Sequence, residues 1–140
     1  MFIDTNVFVY ARNRRANQHY VASSLLERAV RNAEPARISR QILREFLATV
    51  TRPQTWGAAM STEDAARDVT RIARQFEVLE DGPQVTTNLL ILCNEVIVGG
   101  NKIHDANIVA TMLAHGERSL MTFNVADFRR YDHLIEIVSE

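Results

Sequence analysis

One cysteine, one tryptophan and no excess of either charge characterise this chain of 140 residues. A lone Cys93 permits no disulfide framework within a monomer, which suits a reducing compartment. Set in the apolar run Leu89-Leu90-Ile91-Leu92, it reads as a small buried hydrophobe rather than a redox or metal residue. With 16 Lys+Arg against 17 Asp+Glu, no global basic field exists to hold nucleic acid without specificity, although a local basic groove is still allowed. No apolar stretch approaches the roughly 18 residues of a membrane span, and the start of the chain lacks the basic n-region of a signal peptide. Linkers, repeats and low-complexity segments are missing as well. These absences predict a single cytoplasmic domain over residues 1–140 with no membrane contact.

What is present is helical periodicity broken by short apolar runs at intervals suited to βα units. Residues 2–4 read as a short buried strand, after which Val7-Phe8-Val9 resumes the apolar pattern. Asn17 to Asn32 reads as an amphipathic helix with Tyr20, Val21, Leu25, Leu26, Ala29 and Val30 inward. Pro35 to Ser39 fits a second strand, with Ser39 capping a helix from about Arg40 to Val50 that must stop before Pro53. Ser61 and Asp64 form a capping signature for a helix through Phe76, and Val78-Leu79 fits a third strand. Gly82-Pro83 starts a helix that ends before Gly99-Gly100, and another runs from Asp105 to His115 with Gly116 as terminator. Ser119 to Thr122 reads as a fourth strand, Ala126 to Arg130 as a helical turn and Leu134 to Val138 as a last edge strand. The alternation predicts an α/β fold, a three-layer α/β/α sandwich around a mainly parallel sheet of four to five short strands.

Four places carry groups able to do chemistry. Asp4 ends the first strand, followed at once by Thr5 and Asn6, and ligands in open α/β sheets bind at the carboxyl ends of strands. The same triplet is also good turn chemistry. Glu45 lies among Ile42, Leu43, Phe46 and Leu47, where a charge is costly unless it is paired, metal-bound or at the rim; Arg40, Arg44 and Arg52 are available partners. Asp105 falls in a first helical turn, where the helix dipole alone would favour it. In the segment Thr122 to Phe128, the residues Thr122, Asn124 and Asp127 can each face the crevice at Asp4, although Asp127 has Arg129 and Arg130 beside it.

Taken in order, Asp4-Thr5-Asn6, Arg44-Glu45-Phe46, His104-Asp105-Ala106 and Thr122-x-Asn124-x-x-Asp127-Phe128 resemble the motif series of PIN-domain ribonucleases, and most closely the VapC toxins of VapBC toxin–antitoxin pairs. The resemblance spans the chain. It implies an α/β/α sandwich, a divalent-metal-dependent endoribonuclease that cuts RNA, a cognate antitoxin that silences it, and a homodimer. It assigns Asp4, Glu45 and Asp105 to the family's acidic triad, with Asn124 or Asp127 as the fourth catalytic or metal-binding residue. Thr5, Asn6 and Thr122 match supporting positions. The alternatives are a non-catalytic PIN-like binding or scaffold module and a DNA- or structure-specific nuclease.

The residues fit that chemistry on physical grounds. Three carboxylates brought to about 4 Å repel by roughly 4 kcal/mol per pair at an effective dielectric near 20, so the cluster needs protons or a hard cation. Oxygen-only ligands suit Mg²⁺ or Mn²⁺ rather than zinc. His104 diverges from its neighbour Asp105 on a helix and reads as rim or packing. Arg12, Arg14 and Arg15 follow the first strand and Lys102 precedes Asp105, so all four are candidate phosphate contacts. Tyr10 and Trp56 are candidates for base stacking, with packing the competing role.

Overall fold

Central, doubly covered strands need residues that are apolar on both faces, and Phe2, Ile3, Ile38 and Leu120 are each fully buried. In the computed structural model, which describes residues 1–139, these residues belong to three of five short strands: β1 (Phe2–Ile3), β2 (Arg37–Ser39) and β4 (Ser119–Met121), the others being β3 (Glu77–Leu79) and β5 (Glu136–Val138). The five form one parallel sheet in the order β3-β2-β1-β4-β5. Phe2 stands opposite Arg37 on one side and Leu120 on the other, so β1 occupies the middle. The ladder continues past the strand ends, with the Asp4 amide donating to the Met121 carbonyl at 3.0 Å and the Thr122 amide to that of Val138 at 3.0 Å. The α/β sandwich expected from the alternation is thus present, with the final strand at an edge.

The sheet is flanked by α1 (Thr5–Arg12), α2 (His19–Arg31), α3 (Arg40–Val50), α4 (Thr62–Gln75), α5 (Pro83–Glu95), α6 (Lys102–Ala114) and the short α7 (Val125–Phe128). Helix α1 packs on α2 and α3, α3 on α4, and α5 on α6. The start and stop signals work as chemistry requires. Ser61 Oγ accepts from the Asp64 amide at 3.1 Å to open α4, and Pro83 opens α5. Gly116, at φ +73°, ends α6 in a conformation that costs other residues energy.

Several expectations are corrected. Strand β1 stops at Ile3, and the Val7-Phe8-Val9 run belongs to a helix that begins directly at Thr5, because Asp4 caps it and burial outweighs the β preference of valine. The inward face of α2 is Ala22, Leu25 and Ala29, at spacings of three and four, whereas Tyr20, Val21 and Val30 are exposed. Ser39 holds the cap position of α3 but its hydroxyl makes no capping bond and is buried without a partner. Helix α6 starts one turn early, at Lys102 rather than Asp105. Cys93 is only partly buried. Among the described residues, no helix is long and apolar enough to cross a membrane.

Because Ile38 sits on a central strand with no exposed surface, Ile38→Ala is expected to lower the unfolding free energy by about 2–5 kcal/mol. Equilibrium urea denaturation measures this directly, and a loss below about 1 kcal/mol would contradict the burial described.

Candidate active site

The end of β1 passes straight into α1, leaving Asp4 where strand amides and helix amides meet. Its carboxylate is buried, with 5% of its surface exposed, and three donors meet it. The Thr5 amide reaches Oδ1 at 2.7 Å, while Thr122 Oγ1 and Asn6 Nδ2 reach Oδ2 at 2.6 and 2.9 Å. Asn6 also donates to Thr122 Oγ1 at 3.2 Å and accepts from the Phe123 amide at 3.1 Å, which ties α1 to the loop after β4. Burial nevertheless pushes the Asp4 carboxyl up to about 6, ahead of the lowering by the Thr122 and Thr5 hydrogen bonds, and Glu45 and Asp105 raise it further.

Glu45 projects from α3, and its hydrogen-bond partners are neutral rather than the arginines of its own helix. Thr5 Oγ1 donates to Oε2 at 2.9 Å and Gln41 Nε2 to Oε1 at 2.8 Å. Arg40 is engaged elsewhere, with Glu80 at 2.7 Å. Asp105, in the first turn of α6, is also raised, chiefly by burial, although Lys102 pulls it down. Asp4, Glu45 and Asp105 open, with Thr5, Asn6, Asn124 and the exposed His104, on one cleft of about 470 Å³ at the carboxyl edge of the sheet. Among the described residues no three acidic, His or Cys side chains stand close enough together to hold a metal ion as they are placed. The carboxylates share the cleft, with Asp4 and Glu45 anchored to separate donors and Asp105 near only Lys102, a looser arrangement than the convergence expected. In kind, however, an oxygen-only donor set with raised carboxyl pKa values fits a hard cation.

The other sequence candidates separate. Asn124 lines the cleft, and its amide donates to Thr122 Oγ1 at 3.0 Å. Asp127 does not line it; Lys102 Nζ holds Asp127 Oδ1 at 2.6 Å and stands 3.8 Å from Asp105 Oδ2. Arg12 does not face the cleft but pairs with the buried Asp68 at 2.5 Å, beside Arg71. Arg12 also lines, with Arg14 and Arg15, a neighbouring hollow that meets the cleft at Trp56.

Sequence reasoning missed Gln41 and Asn107 as site residues. Gln41 is 4% exposed and donates to both Glu45 and the His104 carbonyl at 2.8 Å, while its Oε1 accepts from Asn107 Nδ2 at 2.8 Å. Asn107 in turn donates to Asp81 at 3.0 Å. The available signal was an amide one helical turn before Glu45, next to the apolar pair Ile42-Leu43. Arg52, which in the sequence reads only as an ion-pair partner for Glu45, lines the cleft.

Fold and cleft together are those of a parallel α/β domain with an acidic site at its strand ends, and known proteins with this pattern exist. Residues 1–134 match the family model described as the PIN domain, and the chain belongs to that family. Ribonuclease VapC24 of Mycobacterium tuberculosis is 26% identical over 128 residues, covering 90% of this chain and 87% of its own. Ribonuclease VapC43 of the same species is 30% identical over 113 residues, covering 79% and 77%. Among solved structures, a toxin-antitoxin complex from Klebsiella pneumoniae aligns with a TM-score of 0.67 at 22% identity, over 99% of this chain and 95% of the other.

A carboxyl whose folded pKa lies above its unfolded value favours folding when protonated. The cost of burying Asp4 is therefore absent below about pH 4 and complete above about pH 6, on the order of 3 kcal/mol. In chelator, the stability of Asp4→Asn relative to the parent is expected to rise by that order between pH 4 and pH 7. Denaturant titrations across the range provide the measurement, and a constant difference would mean that Asp4 titrates normally.

Proposed function

We propose that this chain is the endoribonuclease toxin of a toxin–antitoxin pair, and that it hydrolyses RNA phosphodiester bonds with Mg²⁺ or Mn²⁺ held by Asp4, Glu45 and Asp105. One observation supports the reading above others: carboxylates from three separated segments open on one cleft, and the most buried of them has its pKa raised. A hard cation bound there supplies activated water and offsets the charge that develops on the phosphate.

The chain's own residues have distinct duties in this reading. Thr122, Asn6 and the Thr5 amide fix the direction of the Asp4 carboxylate. Thr5 and Gln41 aim the two oxygens of Glu45 from opposite sides. Asn124 is the fourth polar group, since Asp127 is engaged by Lys102. Lys102 also places a positive charge beside Asp105, where a substrate phosphate would meet it. Arg14, Arg15 and Arg52 supply the remaining unpaired cations near the cleft, and Arg12, in the same hollow as Arg14 and Arg15, is paired with Asp68 and braces α1 against α4. An antitoxin protein that covers the cleft and a second copy of the chain complete the assembly.

Asp4→Asn is expected to abolish RNA cleavage with the circular dichroism spectrum unchanged, and excess chelator is expected to do the same to the parent protein. Full activity in either case would refute the metal-dependent mechanism. Gln41→Leu is expected to weaken Mn²⁺ binding about 10- to 100-fold in calorimetric titration, while a folded variant with parental affinity would remove Gln41 from the site.

A further inference from the structure

Trp56, the one tryptophan of the chain, is half-buried, packed against the edge of the core with its indole nitrogen buried and unpartnered. It lies between α3 and α4, in a tight turn closed by paired backbone bonds between Gln54 and Gly57 at 2.9 and 3.2 Å. The turn is fastened to the preceding helix by Gln54 Nε2 on the Thr49 carbonyl at 2.7 Å and by the Met60 amide on that of Val50 at 2.8 Å. The indole meets the Tyr10 ring edge-on at 5.6 Å, and Tyr10 meets Phe123 in the same way at 5.2 Å. An aromatic side chain is thereby held in one place at the surface by a braced turn.

Its position is what gives it meaning. Trp56 forms part of the wall of the acidic cleft and also of the adjoining hollow of about 380 Å³ that holds Arg14 and Arg15. Both arginines are exposed and, among the described residues, neither makes an ion pair. Arg52 lies on the cleft side. The surface therefore runs from carboxylates, across an indole, to free guanidinium groups. A polymer that alternates anionic linkages with flat aromatic rings matches that sequence of groups, and single-stranded nucleic acids are bound by this combination of stacking platform and cationic groove. A peptide has no comparable need for an aromatic shelf followed by two cations.

We propose that Trp56 is a base-stacking subsite, which holds one unpaired nucleobase beside the cleft while Arg14 and Arg15 take the phosphates beyond it. The proposal rests on the nuclease reading and adds to it one requirement: an unpaired base must be present at the step that Trp56 holds. Stacking tolerates any base, so Trp56 governs strandedness and grip rather than sequence.

Because Trp56 is the only indole, its fluorescence reports this subsite without a label. The probe is a single-stranded RNA of about ten nucleotides, with Ca²⁺ replacing Mg²⁺. Binding is expected to quench the emission, and RNA duplex or oligonucleotides with an abasic residue at the stacked step are expected not to. Trp56→Ala is expected to lower affinity about 5- to 150-fold without altering the salt dependence, with Trp56→Phe recovering much of the loss. Arg14→Ala and Arg15→Ala are expected each to reduce the salt slope by about 0.7. RNA cleavage in Mg²⁺ without quenching, and with parental affinity in folded Trp56→Ala, would overturn the subsite and leave the nuclease reading standing. Neither binding nor cleavage of any RNA would overturn both.

Discussion

A carboxylate buried at the end of the middle strand is the constraint on which the rest of this molecule depends. Asp4 has little access to water, so protein donors must satisfy its oxygens. They come from the helix that follows it and from the strand beside it. Strand pairing, the start of α1 and the direction of one side chain are therefore fixed by a single small network. The network satisfies the hydrogen-bonding capacity of the carboxylate but not its charge, and the raised pKa is the measure of what remains.

The distribution of cations explains how that charge is kept available. Around Asp4 and Glu45 the direct partners are hydroxyls and amides, which orient without neutralising. Guanidinium groups serve acidic residues elsewhere: Arg12 and Arg71 at Asp68, Arg40 at Glu80, Arg67 at Glu63. Lys102 is the exception in position but follows the same logic, because its close partner is Asp127 at the rim rather than a carboxylate of the cleft floor. The result is negative charge on the floor of the cleft and positive charge at its edges, an arrangement that suits a PIN-domain ribonuclease acting on a polyanion.

Much of the architecture was legible because its signals are local. Ser61, Pro83 and Gly116 act through their own backbones, so their effects could be read without knowing what lies across the molecule. The order of Asp4, Glu45, Asp105 and Asn124 along the chain was legible as a pattern, and all four line one cleft. What escaped depends on partners distant in sequence. Tyr20 and Val21 have the spacing of a buried face, yet only the packing of α2 decides which stripe is covered. Arg12 could not be assigned to Asp68, nor Gln41 to Asn107, until tertiary contacts existed. The start of α1 was hidden by valines, whose intrinsic preference opposes the structure that burial imposes.

The bond between Asp4 and Thr122 joins residues 118 positions apart, and this has a consequence in time. Strand β1 has β4 as one of its two neighbours, so it has one side open until residues 119–121 pair with it. Contacts of such separation form late, because loop closure must precede the energy they return. A nascent chain that ends before Thr122 lacks one of the three donors that set the Asp4 carboxylate. The geometry of the cleft therefore depends on a contact that no local segment of the chain can make by itself.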